Sequence, residues 1–265
     1  MSGLTLGALY RYPVKSLGGE SFEALDVLAR GLAYDRHWMV VDQQGAFLSQ
    51  RKLPRMSLIA ASVDAAGALR LNAPGMPELA LSACAGGPLD VVVWGDSVRA
   101  EAAGPRADGW LSRFLDVSCR LVCFPQDGVR RVDPAFSRVT DQVGFADGFP
   151  FLLISQASLD DLNRRLAQPV AMLRFRPNLV VAGCEPFAED GWRRIRIGEL
   201  EFRVAKPCSR CIIPTIDPLT GQRGGEPLRT LNSYRKRGNK VYFGQNLVHE
   251  SAGRLAVGMP VEVLE

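Results

Sequence analysis

The sequence predicts a mainly β protein with some α, an α+β chain of two strand-rich domains, residues 1–120 and 121–265. Three observations predict it. Short segments alternate apolar and polar residues with period two, small turn-forming clusters separate them, and only three stretches carry a helical period.

In chain order, Leu4, Leu6, Ala8 and Tyr10 share one face of a first strand. "WMVVDQQGAFLSQR" reads as two strands around Gln43-Gln44-Gly45, "LIAASVDAAGALRLNAP" repeats the device around Ala65-Ala66-Gly67, and "LDVVVWG" adds another. A short helix is expected over "DGWLSRFLD", where Trp110, Leu111, Phe114 and Leu115 fall on one side. Residues 125–147 are polar and aperiodic, a long loop of the kind that borders sites. "PFLLI" is a strand leading into the helix "SQASLDDLNRRLAQ", with Leu159, Leu162 and Leu166 on one face and Ser158 with Asp161 as a capping pair. "NLVVAG", "WRRIRIG" and "ELEFRVA" are further strands, "EPLRTLNSYR" a last helix, and "LAVGMPVEVLE" a strand pair broken at Gly258 to Pro260. No internal repeat is visible.

Composition narrows the function classes. The 265 residues are 47% hydrophobic and 23% charged, enough for a normal core. Their 32 basic residues against 28 acidic give +4, nearly all from arginine; lysine stands only at 15, 52, 206, 236 and 240. That excess lacks a polybasic run, a zinc-finger spacing or a ribonucleoprotein motif, which argues against nucleic acid and leaves a phosphate-bearing small molecule as a partner. "MSGLTLGALYRYPVKS" has no basic segment followed by a long apolar run, so a soluble, cytoplasmic protein without membrane contact is expected. The six cysteines at 84, 119, 123, 184, 208 and 211 are expected as reduced thiols.

The segment "AKPCSRCIIPTIDPLTG" leaves several chemistries open. A zinc tetrad would need Cys119 and Cys123 beside Cys208 and Cys211, at an untypical spacing. A thioredoxin-like pair would open a helix, whereas Cys211 is followed by Ile212, Ile213 and Pro214, which prefer extension. Core packing would account for both thiols, although Lys206 and Arg210 suit a nucleophile or soft-metal ligand better than an apolar interior. A cofactor that brings its own donors would need anchors. Lys15 and Ser16 follow a proline turn, Arg176 and Asn178 flank Pro177, and each is also readable as a solvated surface group. Arg36 and His37 are similarly placed before an apolar strand, His37 as a possible metal ligand or general base.

Together "YPVKS", "DRHWMVV", "LSQRKLPRMSLI", "GFPFLLISQASLDDLN", "FRPNLVV", "CSRCIIPTIDPLTG", "EPLRTLNSYR" and "FGQNL" occur in the order found in one family. Over nearly its whole length the chain resembles the MOSC family of molybdenum-cofactor sulfurase C-terminal domains, above all the branch of amidoxime-reducing components and their bacterial relatives. The resemblance implies an N-terminal β-barrel module packed on a C-terminal MOSC β-barrel domain with a few short helices. It implies a molybdenum cofactor, molybdopterin with oxo-molybdenum, ligated by Cys211, with Cys208 only its neighbour. Ser209 and Arg210 would contact the cofactor, and Lys15, Ser16, Arg36, Arg176 and Asn178 would hold its pterin and phosphate. Around Asp147 to Phe149 any contact would be by backbone, no carboxylate stands out as a proton donor, and Asn246 would tune substrate choice. The implied activity is reduction of small N-hydroxylated substrates such as hydroxylaminopurines and amidoximes. The chain ends at Glu265 without an iron–sulfur domain, so a separate electron-donor protein or reductase is expected. A cofactor carrier or sulfur-transfer protein, and a zinc-bearing binding module, are the alternatives.

Overall fold

The computed structural model describes residues 3–265; Met1 and Ser2, at the head of the stretch read for a leader, lie outside the described residues. The largest sheet runs, in spatial order, Val261–Val263, Arg194–Ile197, Leu200–Ser209, Lys240–His249, Phe151–Ser155, Leu179–Ala182, Thr5–Arg11, Glu20–Phe22, with Lys236–Arg237 attached to Lys240–His249. All its pairings are antiparallel except Phe151–Ser155 with Leu179–Ala182, the two strands joined through the helix Gln156–Arg165. A parallel pair needs such a crossover.

Three smaller sheets complete the fold. One has four strands, ordered Trp38–Val41, Arg120–Cys123, Asp96–Ala102, Pro88–Val93; two have three, one joining Gly253–Ala256, Ala24–Leu28 and Gly31–Leu32, the other Ala60–Val63, Leu69–Asn72 and Leu79–Leu81. The architecture is thus α+β with mixed sheets. The strand paths do not close fully into the two barrels implied by the resemblance: the large sheet keeps two edges, and Thr5–Arg11 meets the segment before Val261–Val263 through the isolated bridge of Thr5 with Pro260 and backbone hydrogen bonds from Leu6 to Met259, Gly258 to Leu6 and Val261 to Leu4. The start of the chain is built into the large sheet through Leu179–Ala182 and into a small sheet through Gly253–Ala256.

Local sequence explains most elements. The helix Pro105–Leu115 begins with a proline, whose missing N–H costs nothing there, and buries Trp110, Leu111, Phe114 and Leu115 against Leu121, Leu79 and Val40. The helix Gln156–Arg165 is capped one turn earlier than the sequence pattern suggests. Ser155 Oγ accepts from the Ser158 N–H at 3.1 Å, and Ser158 turns inward to donate to Glu189 at 2.8 Å. The second strand expected around Gly45 reduces to isolated bridges at Ala46 and Phe47.

The ten-residue strand Lys240–His249 does not show as an alternation, because Gly244, Gln245 and Asn246 interrupt it. Gly244 has φ +83°, and a Cβ there would stand 2.6 Å from Ile154 Cγ1 and 2.7 Å from the Leu153 carbonyl, so no other residue fits without displacement. Cys84 and Cys123 form a disulfide, which corrects the expectation of six reduced thiols and leaves Cys119, Cys184, Cys208 and Cys211 free. Sequence could not show that pair, since the two half-cystines are 39 positions apart.

His37 sits edge-on to Trp38 and Tyr34, its ring centroid 4.6 Å from the indole. Burial, reinforced by nearby Arg30, lowers its pKa to about 4. Its place in this cluster is that of a packed aromatic, away from the cavity described below. An unfolded chain takes up this proton near 6.5, so the folded form loses stability as pH falls from 6.5 toward about 4 and keeps it above that window. The loss is expected to reach up to roughly 3 kcal/mol. Urea midpoints near pH 7 and near pH 4.5 should differ less in His37→Gln than in the wild type; equal slopes would remove the assignment.

Candidate functional site

One cavity gathers Lys15, Ser16, Arg36, Arg176, Asn178, Ser209, Arg210 and Cys211, residues spread over 197 positions of sequence. It lies where the turn after Thr5–Arg11, the segment before Leu179–Ala182 and the end of Leu200–Ser209 meet. Cys208 and Asn246 line it too, whereas His37 does not.

Arg36 ties the parts together. Its backbone N–H donates to the Tyr12 carbonyl at 2.8 Å, and its carbonyl accepts from Phe145 at 2.9 Å. Its guanidinium donates to Asp35 at 2.5 Å, to Asn178 Oδ1 at 3.0 Å and to the Arg176 carbonyl at 3.2 Å. Asp35 in turn accepts from the Tyr12 N–H at 2.9 Å, and Asn178 Nδ2 donates to the Tyr10 carbonyl at 3.2 Å. Arg36 and Arg176 both stack on Tyr12, at 4.4 and 4.2 Å from its ring centroid.

Lys15 is 4% exposed; its ammonium donates to the Phe145 carbonyl at 2.8 Å and to Asp147. Burial lowers the Lys15 pKa, and Asp147 opposes the shift. Asp147 is ringed by protein but opens on the cavity, its side chain 58% exposed. Desolvation alone would raise its pKa, but Lys15, Arg51 and the Trp94 N–H outweigh it and hold the carboxyl well below the usual range. This side chain lines the cavity in the segment where sequence reading expected any cofactor contact to be by backbone, and it is a carboxylate that sequence reading had not singled out.

Arg51 is a second residue that sequence reading missed. Its Nη2 reaches Asp147 Oδ2 at 3.3 Å and Cys211 Sγ at 3.4 Å, while its guanidinium lies 4.7 Å from the Trp94 ring centroid. Arg210 instead donates to Cys208 Sγ at 3.2 Å and to the Phe175 carbonyl at 2.6 Å. The two cysteines therefore face different partners. The only sequence signal for Arg51 was its position inside "LSQRKLPRMSLI", which names no role.

The donor set fits an anionic, sulfur-bearing cofactor. Arg176 Nη2 and Arg210 Nε are buried with no hydrogen-bond partner among the described residues, a costly state that a bound acceptor would relieve. Burial, then Arg36, lowers the Arg176 pKa to about 10, which still leaves it charged near neutrality. Five cations, Lys15, Arg36, Arg51, Arg176 and Arg210, face two carboxylates, Asp35 and Asp147. A phosphate matches that imbalance. A zinc tetrad is not assembled: Cys119 is buried in the core beside Leu121, Cys123 is bonded to Cys84, and among the described residues no three His, Cys, Asp or Glu side chains gather as a metal site.

Comparison with known proteins gives two family matches, residues 3–118 to the MOSC N-terminal beta barrel domain and residues 140–262 to the MOSC domain. The chain is 38% identical over 280 residues to mitochondrial amidoxime-reducing component 1 of Mus musculus, covering 98% of this chain and 82% of that protein. It is 36% identical over 280 residues to the Homo sapiens protein of the same name, covering 98% and 83%. Molybdenum cofactor sulfurase of Oryza sativa subsp. japonica is 32% identical over 272 residues, 94% of this chain but 33% of that protein. The amidoxime-reducing relatives are named mitochondrial, which overturns the expectation of a cytoplasmic protein. The lack of a long apolar run near the N-terminus bears on secretory leaders and helical anchors and does not distinguish one aqueous compartment from another. Among the described residues no helix is long and apolar enough to cross a membrane.

The geometry makes Arg36 the test of how the cavity is held. Asp35 has a side chain 2% exposed, so removing its cation leaves a buried carboxylate without its charge partner. Arg36→Met should cost about 3 kcal/mol in urea unfolding at constant m-value. Adding Asp35→Asn should recover part of it; a double variant no better than the single would show that the ion pair is not the cause.

Proposed function

The chain belongs to the MOSC family, and from that premise we propose that it is a molybdenum-cofactor-dependent oxidoreductase that reduces small N-hydroxylated compounds, hydroxylaminopurines and amidoximes among them. The observation that carries this reading is the convergence on one cavity of Cys211 with Lys15, Ser16, Arg36, Arg176, Asn178, Ser209 and Arg210. The amidoxime-reducing relatives, matched over 82–83% of their length, support it. The division of the sequence into modules 1–120 and 121–265 belongs to the same proposal, supported by the family matches at 3–118 and 140–262.

The molybdenum cofactor, when bound, supplies two-electron chemistry at a soft, sulfur-ligated metal. Cys211 would be the protein ligand. Arg176 and Arg210 would give their unpartnered N–H groups to the pterin or its phosphate, with Lys15, Ser16 and Ser209 adding donors. Arg36 and Asn178 would act through the backbone of Arg176, holding the anion cradle in shape. The overall reaction cleaves an N–O bond with two electrons and two protons and leaves water with the amine, from a hydroxylamine, or the amidine, from an amidoxime. Asp147, kept ionised by Lys15, would accept a hydrogen bond from a substrate N–H and orient the N–O group, rather than deliver a proton. Electrons would come from a separate reductase or carrier protein.

The rice sulfurase match favours a second reading, in which the same cradle carries the cofactor or hands on sulfur without turnover. Protein made in a host that supplies the cofactor separates the two. About one molybdenum per chain is expected, lost in Cys211→Ala and kept in Cys208→Ala. Reduced dye with benzamidoxime or 6-hydroxylaminopurine should give multiple turnovers; metal without turnover would favour the carrier, and full zinc without molybdenum would end both readings.

A further inference from the structure

Beside the cofactor cradle, across the ledge Asp147-Gly148-Phe149, lies a second hollow of about 760 Å³, the size of a small-molecule site. A Cβ built on Gly148 meets nothing within 4 Å, so the ledge is low and open between the two cavities. Trp94, Phe149, Val129 and Pro134 give the hollow an apolar patch within a lining that is otherwise polar and charged, and the Lys206 ammonium lies 5.0 Å from the Phe149 ring centroid. Two of the three cations on its rim are already paired, Arg130 with Asp96 at 2.7 Å and Lys206 with Asp133 at 3.5 Å.

Trp94 is held there at a cost. It occupies a two-residue hairpin turn between Pro88–Val93 and Asp96–Ala102, with φ +57°, a left-handed conformation that a bulky side chain rarely adopts. Its indole N–H donates to Asp147 Oδ1 at 3.2 Å, its ring leans on Phe47 at 5.0 Å, and Arg51 stacks on it. The residue is nevertheless 47% exposed, whereas Trp38, Trp110 and Trp192 are buried. A fixed, exposed aromatic surface loses little freedom when a flat ligand stacks on it. Asp147 accepts from Lys15, Trp94 and Arg51, and a carboxylate offers about four acceptor positions, so room for one more donor remains.

We propose that this hollow seats the body of a planar aromatic substrate. The ring stacks on Trp94 with its edge toward Phe149, an amidoxime N–H bonds to Asp147, and the N–OH group passes over Gly148 toward Cys211. The proposal rests on the reading of the protein as a reductase of N-hydroxylated compounds and names the substrate class of that site, flat aromatic over small aliphatic.

Because Trp94 is the exposed tryptophan, its fluorescence reports occupancy in oxidised, full-length holoprotein without reductant. Benzamidoxime should quench it saturably, and acetamidoxime at the same concentrations should not. Val129→Arg, which crowds the hollow from an exposed position, should weaken benzamidoxime quenching. It should also raise the KM for benzamidoxime about tenfold more than that for acetamidoxime, and Trp94→Leu should show the same selective KM effect. Equal KM changes for both substrates, or turnover of benzamidoxime without saturable quenching, would overturn the hollow and leave the reductase reading intact. Saturable, Val129-sensitive quenching in a protein that turns over neither substrate would support the hollow as an aromatic site while overturning the reductase reading.

Discussion

The crowding of like charge around one cavity is the constraint on which the rest of the structure depends. Lys15, Arg36, Arg51, Arg176 and Arg210 would repel one another and lose their hydration, yet all line the same space. The fold offsets this with carbonyls more than with carboxylates. Phe145 accepts from Lys15, Leu17 from Arg176, Phe175 from Arg210, and the Arg176 carbonyl from Arg36. Carbonyl acceptors fix the geometry of a cation without cancelling its charge. A site built this way stays positive and in want of an anion, which is what the unpartnered nitrogens of Arg176 and Arg210 express locally.

Holding those carbonyls in place requires unusual backbone. Ser16, Arg36 and Arg176 all have positive φ, at 67°, 46° and 58°, and all three line the cavity. Non-glycine residues in this region persist where their surroundings over-determine them. Arg36 is fixed on both sides, by Tyr12 and Phe145 through its backbone and by Asp35 and Asn178 through its side chain. The turns aim side chains and carbonyls inward at points where a regular strand would send them to alternate faces. Local strain, the cation network and the large sheet's central strands thus form one mechanical unit.

That coupling explains what could be read in the sequence. Short apolar runs located Trp38–Val41, Phe151–Ser155 and Leu179–Ala182, which are buried on both faces, and alternation located Ala60–Val63, where only one face is buried. It failed at Lys240–His249, where a glycine clears space for Ile154 and two amides face polar partners. Strand pairing also does not report closure, so mixed open sheets stand where barrels were expected. Of the cavity residues, those beside a proline turn or the CxxC drew attention, and the resemblance gave them roles. Arg51 and the side chain of Asp147 did not, because their meaning lies in contacts with Cys211 and Lys15, 160 and 132 positions away.

The same long-range contacts break the symmetry of the CxxC. In sequence Cys208 and Cys211 are interchangeable thiols flanked by basic residues. In the fold Cys208 lies inside the strand Leu200–Ser209, whose pairing with Lys240–His249 shifts register between Pro207 and Ser209, and it is held by Arg210. Cys211 lies past the strand, ahead of the turn at Ile213–Thr215, where no ladder bonds constrain it and Arg51 meets its sulfur. The proline at 214 stops the strand from continuing and keeps Cys211 at the cavity wall. The spacing of the pair therefore separates a strand-bound cysteine from one past the strand, although both line the cavity.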